Sequence, residues 1–190
     1  MPWKKMFIAA LAIAPAFAIA AEVTPPAVPT NLTVPEGNEP FAVGHAVGTQ
    51  NYVCLPSDKR VKWVQYSPQA TLFNDDGQQT MTHFLSPNPA ESDAPRATWQ
   101  DSRDTSAAWA TVQEESNDSQ FVAPGAIKWL LLRVVGSQSG PDSGDRLSKT
   151  TFIQRVNTLG GVAPATGCTS STDVGKKVLV PYMADYFFYR

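Results

Sequence analysis

Chain breakers recur so often in this sequence that no long helix fits between them. There are 16 prolines and 12 glycines in 190 residues. The runs they delimit are short, alternate apolar with polar residues, and are rich in Val, Thr and aromatics. Alternation places every second side chain on one face, which is the pattern of a strand in a half-buried sheet. Val61–Tyr66 reads as a strand ended by Ser67-Pro68. Thr71–Phe73 and Thr80–Leu85 flank the turn Asn74-Asp75-Asp76-Gly77 as a hairpin. Ala97–Gln100 and Ala107–Val112 form a second pair, and Phe41–Cys54 gives one or two strands with Gly44 and Gly48 as bends. Ile127–Val135 lies between Pro124-Gly125 and Gly136; it is too short for a helix and predicts a strand buried on both faces. The prolines at 87, 89 and 95 make Ser86–Arg96 a loop. Glu114–Gln120 and Ser137–Ser148 are further polar loops. The fold class is therefore all-β: a single-domain antiparallel sandwich or barrel with long loops.

The ends of the chain predict where it works. Lys4-Lys5, the apolar run Met6–Ala21 and the small residues Ala18-Ile19-Ala20 have the layout of a secretory signal peptide over residues 1–20. A membrane anchor is the rival reading, but Pro15 interrupts the run and it is short of the ~20 residues a helical span needs. Residues 21–40, with Pro25, Pro26, Pro29, Pro35 and Pro40, predict an extended segment lying along an all-β domain of residues 41–190. No membrane span remains after signal cleavage. The formal charge of −2 becomes more negative once Lys4 and Lys5 are removed. With no Lys/Arg cluster, nucleic acid is not an expected partner. The expected compartment is the periplasm or the cell exterior. There, Cys54 and Cys168, the only two cysteines, read as a disulfide.

Several short blocks then resemble a known family. Thr151–Thr158 (Thr-Phe-Ile-Gln-Arg-Val-Asn-Thr) leads into the Gly/Pro-rich turn to Cys168, and Val180–Tyr189 closes the chain. Val34-Pro35-Glu36-Gly37, Gly48–Cys54, Ala70–Phe73 through His83-Phe84, Thr98-Trp99 and Lys128–Leu132 precede them in order. Together these resemble the secreted family catalogued as domain of unknown function 3455. The resemblance spans nearly the whole chain after residue 20 and implies a fold and a compartment, with no activity attached.

Candidate chemistry is sparse. Alternation sets Thr151, Ile153, Arg155 and Asn157 on one face and Phe152, Gln154, Val156 and Thr158 on the other. Gln154, between apolar neighbours, is expected to be buried and hydrogen-bonded, either locking strands together or lining a ligand pocket. Arg155 has Asp185 as a candidate ion-pair partner. Tyr182 and Tyr186 share one face of the closing strand, and with Asn157 and Trp99 they are the candidate ligand contacts. The tryptophans at 63, 99, 109 and 129 would either pack the core or stack on a sugar, with core packing the commoner fate of aromatics at strand spacing. His83 is the better candidate of two histidines for proton transfer. Neither histidine has metal-ligand spacing, the Asp-rich turns match no calcium loop, and no cofactor fingerprint is present. Gly136-Ser137-Gln138-Ser139-Gly140 lacks the central serine of a nucleophile elbow. The balance favours a non-enzymatic binding or surface-associated β module, with a glycan or a surface protein as the expected ligand. The alternative is a hydrolase or other enzyme using His83, Gln154, Arg155 and Asp185.

Overall fold

The computed structural model describes residues 22–58 and 60–190; the expected signal peptide lies outside them. Eight antiparallel strands follow one another around a closed barrel: β1 (Pro40–Ser57), β2 (Arg60–Phe73), β3 (Gln79–Asn88), β4 (Ala94–Asp101), β5 (Ala107–Ser116), β6 (Trp129–Gln138), β7 (Phe152–Gly160) and β8 (Lys177–Tyr189). Each strand pairs with its sequence neighbours, and β8 returns to pair with β1 from Val53↔Lys177 to Pro40↔Tyr189. Closure pairs the two strands that an open sheet would leave as edges. Of the two architectures open to the sequence, the chain adopts the barrel.

Small residues on β1 make the tight curl possible. A Cβ on Gly48 would sit 2.1 Å from the Gln69 carbonyl oxygen and 2.5 Å from Ala70 Cα. One on Gly44 would meet Leu72 Cδ2 at 2.7 Å. With Ala42 and Ala46 also buried, β1 offers a low inner wall against which larger side chains pack. Leu72, Met81, Trp99, Ile153, Tyr186 and Phe188 fill the bore and are all fully buried. Glycine here is the absence of a clash rather than a bend, so β1 is one strand of 18 residues.

Two expected breaks are absent. β2 runs straight through Ser67-Pro68, with Gln50↔Pro68 in register on β1. The β2–β3 ladder begins only at Ala70↔His83, so Pro68 stands where β2 is paired on one side alone, a position that tolerates proline. Likewise Ser86–Asn88 and Ala94–Arg96 continue the β3–β4 ladder, with Pro87 opposite Pro95. Only 89–93 turns the chain, around a short 3-10 helix whose N-cap, Asn88, accepts from Ala90 N–H.

One end of the bore is plugged. The 139–151 connection pushes Leu147 into the core, where it is fully buried. Leu147 N–H donates to Ser106 Oγ, Ser106 donates to Asp104 Oδ1, and Arg146 N–H donates to Asp104 Oδ2. The plug's backbone N–H groups are thus satisfied by the β4–β5 connection.

Outside the barrel, residues 22–39 lie across β6, β7 and β8. Leu32 is fully buried in a second apolar cluster with Trp129, Leu131, Val156, Phe187 and Tyr189. This segment explains why Trp129–Leu132 is buried on both faces, as the unbroken apolar run predicts. Burying each such side chain contributes about 1.5–3 kcal/mol. Gln154 Nε2 donates to Leu32 O at 2.7 Å, and Tyr189 OH donates to Gln154 Oε1. At the opposite end from the plug, Cys54 and Cys168 form the disulfide, with Cα atoms 5.5 Å apart.

Candidate functional site

The site originates in a mismatch of ladder lengths. β3 stays paired to β4 from Met81 to Asn88, but its ladder with β2 stops at Ala70↔His83. Beyond that point β2 leaves β3 and the barrel opens. The opening is a solvent-connected cavity of about 780 Å³, walled by β2, β4, β5, β6 and the connection after β7.

Its base is aromatic. His83 stacks on Trp99 with centroids 4.1 Å apart and planes 10° from parallel. Tyr186 leans against both, at 5.2 Å from His83 and 5.4 Å from Trp99. Leu85, Ala97, Leu130 and Leu132 supply apolar wall. Into this surface β7 sends Arg155, the position two residues on from buried Ile153 and opposite Leu130 and Tyr186. Its Nε and Nη2 both donate to Lys128 O, at 3.2 and 2.8 Å. No carboxylate pairs with Arg155 among the described residues. The acid of the cavity lining, Glu115, is engaged by Lys128 Nζ.

Burial dominates the titration of the groups around Arg155. His83 is driven down to about 3, first by burial and then by the Arg155 charge, against the opposing bond to Thr98 O. Its Nδ1 donates to that carbonyl at 2.9 Å, so the proton of the neutral ring is on Nδ1 and Nε2 is a free acceptor. Burial raises Tyr186 and Tyr182, whose hydroxyls are 3.2 Å apart. It also raises Tyr52, whose OH donates to Gly161 O at 2.7 Å. Two cavity residues keep an N–H group that is buried and without a partner: Gln50 at Nε2 and Trp99 at Nε1. Gln50 Oε1 is satisfied by Gln65 Nε2.

The residues singled out from the sequence thus separate into two groups. His83, Arg155, Trp99 and Tyr186 meet at the cavity, with Tyr182 behind Tyr186. Gln154 is on the far side of the wall, under the N-terminal segment, where it locks strands to that segment. Asp185 also faces outward: it accepts from His45 Nδ1 at 2.7 Å and from Asn157 Nδ2 at 2.8 Å. The expected Arg155–Asp185 pair therefore does not form, because Asp185 is in register with Val156 and shares the outer face. Asn157 departs from its alternation partners Ile153 and Arg155. Its φ of 51° and the register shift between Val156 and Leu159 form a bulge that turns it outward. The tryptophans at 99, 109 and 129 are buried and offer no exposed stacking platform.

Gln50, Gln65 and Tyr52 escaped the sequence reading. Gln50 stands two residues from Gly48 on the inner face of β1, within the Gly48–Cys54 block, so period-two alternation carried to that block would have pointed inward at it. The His45 network was also missed; its partners Asp75 and Asp185 are 30 and 140 residues away.

The architecture is that of a closed, eight-stranded up-and-down barrel, plugged at one end and carrying a polar-aromatic cavity at the other. The chain belongs to the family described as "Protein of unknown function (DUF3455)", whose model matches residues 35–190. No curated protein and no solved structure matches the chain.

Proposed function

We propose that this is an exported binding module that takes a small molecule into the open end of its barrel. The observation that carries this reading is the cavity itself. Its volume of about 780 Å³ falls within the range of small-molecule sites, which are largely apolar with a few placed polar groups. The disulfide supports export, as do the signal-like residues 1–20. A glycan or a surface protein would have to engage the protein through this mouth, where Tyr66 is exposed, or through the outer strands, since Trp99, Trp109 and Trp129 are buried.

Catalysis draws less support. A histidine held down to about 3 is a weak base at neutral pH, far from the value at which general bases work best. Asp185 and Gln154 are on the other side of the wall from His83.

A thermal-shift panel of metal ions, cell-wall glycans, lipids and common cofactors tests the reading, run beside the variant Ala97→Phe. Ala97 is on the inner face of β4 at the cavity, so the larger ring occupies ligand space. A ligand that binds only the folded state at a hundredfold excess over its Kd adds about 2.7 kcal/mol of stability. The expected result is a shift with one ligand class that Ala97→Phe abolishes while still folding. A panel without any shift, or a shift indifferent to Ala97→Phe, counts against the cavity as the binding site.

A further inference from the structure

We infer that the cavity takes a small organic carboxylate, its anionic head on Arg155 and its apolar body against the walls; this rests on the binding-module reading above. Arg155 is an inward-facing cation among walls that are mainly apolar or aromatic, with Gln50, Gln65 and His83 among the uncharged polar exceptions. A charge partly withdrawn from water is costly unless an opposite charge or several hydrogen bonds compensate it. Here one carbonyl, that of Lys128, serves two of its donors, the neutral Tyr186 hydroxyl is its other neighbour, and no carboxylate of the described chain reaches it. The one acid at the rim, Glu115, is already paired to Lys128.

The remaining polar groups set the sign of the ligand. Beside Arg155 the lining carries neutral His83, whose Nδ1 is taken up by Thr98 O and whose Nε2 is left as an acceptor. With Lys128 paired to Glu115, Arg155 is the cation of this lining that no carboxylate of the described residues neutralises, which favours an anion. A single guanidinium matches one planar carboxylate, which it can bind through two parallel N–H···O bonds. A phosphate dianion would call for more positive charge than one arginine beside a neutral His83. The apolar wall of Leu85, Ala97, Leu130, Leu132 and Val162 favours a hydrocarbon or aromatic body over a free inorganic anion. His83 Nε2 adds a place for a hydroxyl or N–H on that body.

The test compares acids with their uncharged isosteres. The purified protein is titrated calorimetrically with octanoate and octanamide, with 4-hydroxybenzoate and 4-hydroxybenzamide, and with inorganic phosphate. A hydrogen bond to a charged group contributes about 1.5–3 kcal/mol, so at least one acid should bind about tenfold or more tighter than its amide. The preference should fade as the pH falls below the acid's own pKa. Arg155→Gln should erase it, Arg155→Lys should keep part of it, and Arg133→Gln, on the outer surface, should leave it intact. Should Arg155→Gln fail to fold, the acid–amide comparison and its pH dependence in the unmodified protein still decide the matter. Equal binding of acid and amide overturns the carboxylate assignment while leaving a binding cavity. Phosphate binding without carboxylate binding overturns it as well. If neither acid nor amide binds, the carboxylate assignment fails; a thermal panel that is also flat then removes the binding-module reading with it.

Discussion

At the end of the barrel where 74–78, 102–106 and 139–151 connect the strands, Leu147 fills the bore and the turn hydrogen bonds close on themselves. At the other end, where the β1–β2 turn, 89–93, 117–128 and 161–176 connect them, β2 leaves β3 and a cavity remains. The first end is held by packing. The second is held by a covalent bond, with Trp63 Nε1 also donating to Thr166 O at 3.0 Å to seat the 161–176 connection. That connection contributes Val162 and Ala163 to the cavity wall. A cavity forfeits the packing contacts that its volume would hold, so stability at that end has to come from elsewhere. The disulfide supplies it by limiting the freedom of the unfolded chain. The comparison teaches that an opening in a small barrel goes with a local staple, while the sealed end needs none.

The largest effect should come from removing that staple. Cys54 and Cys168 are separated by 114 residues, and in the chain-entropy account closing such a loop contributes about 4–5 kcal/mol. The double variant Cys54→Ser, Cys168→Ser should therefore unfold at much lower denaturant and lose ligand binding at the mouth. A loss under about 1 kcal/mol would mean that the open end is held by packing after all, against the entropic account.

Next in size, Leu147→Ala should cost about 2–5 kcal/mol by leaving a void in the plug. It should leave the affinity of any cavity ligand unchanged in the folded protein, because the plug and the mouth are at opposite ends of the bore. A change in affinity, measured well below the melting temperature, would show that the two ends are coupled.

The smallest effect belongs to the outer wall beside both. Burial opposes the charge on His45, but hydrogen bonds and Coulomb attraction from Asp185 and Asp75 outweigh it and raise its pKa. The folded state then holds the proton more tightly than the unfolded chain, whose histidine titrates near 6.5. The stabilisation is fully present below about pH 6.5 and is lost as the pH rises through the raised folded value. Because His45 and Asp75 are exposed to solvent, which screens the interaction, the amount should be under about 1 kcal/mol. Stability curves of the unmodified protein and His45→Gln should differ below that window and converge above it. Parallel curves across the range would refute a titrating His45 link.

Much of the wall could be read in advance. Period-two alternation placed Ile153 and Arg155 on one face of β7 and Gln154 and Val156 on the other, and the structure keeps them there. The unbroken apolar run of β6 foretold burial on both faces. Proline was the misleading signal: Pro68, Pro87 and Pro95 suggested chain breaks, yet each lies where a strand is one-sided or near its hairpin tip. The bulge at Asn157 was invisible for a related reason, since one residue in left-handed conformation reverses a face without leaving a mark in the hydrophobic pattern.

What the sequence determined by itself is local: short alternating strands, two cysteines available to pair, and an N-terminal stretch too proline-rich to join a central strand. Those follow from steric and covalent properties of individual residues. The tertiary structure decided everything that depends on closure. Pairing β8 with β1 made one wall face the bore and the other face solvent or the N-terminal segment. That choice put Arg155 with His83, Gln50 and Trp99 while sending Asp185 and Gln154 away. Residues far apart in sequence meet only when the register of every intervening strand is fixed, and register is set by contacts around the whole ring rather than by any one strand.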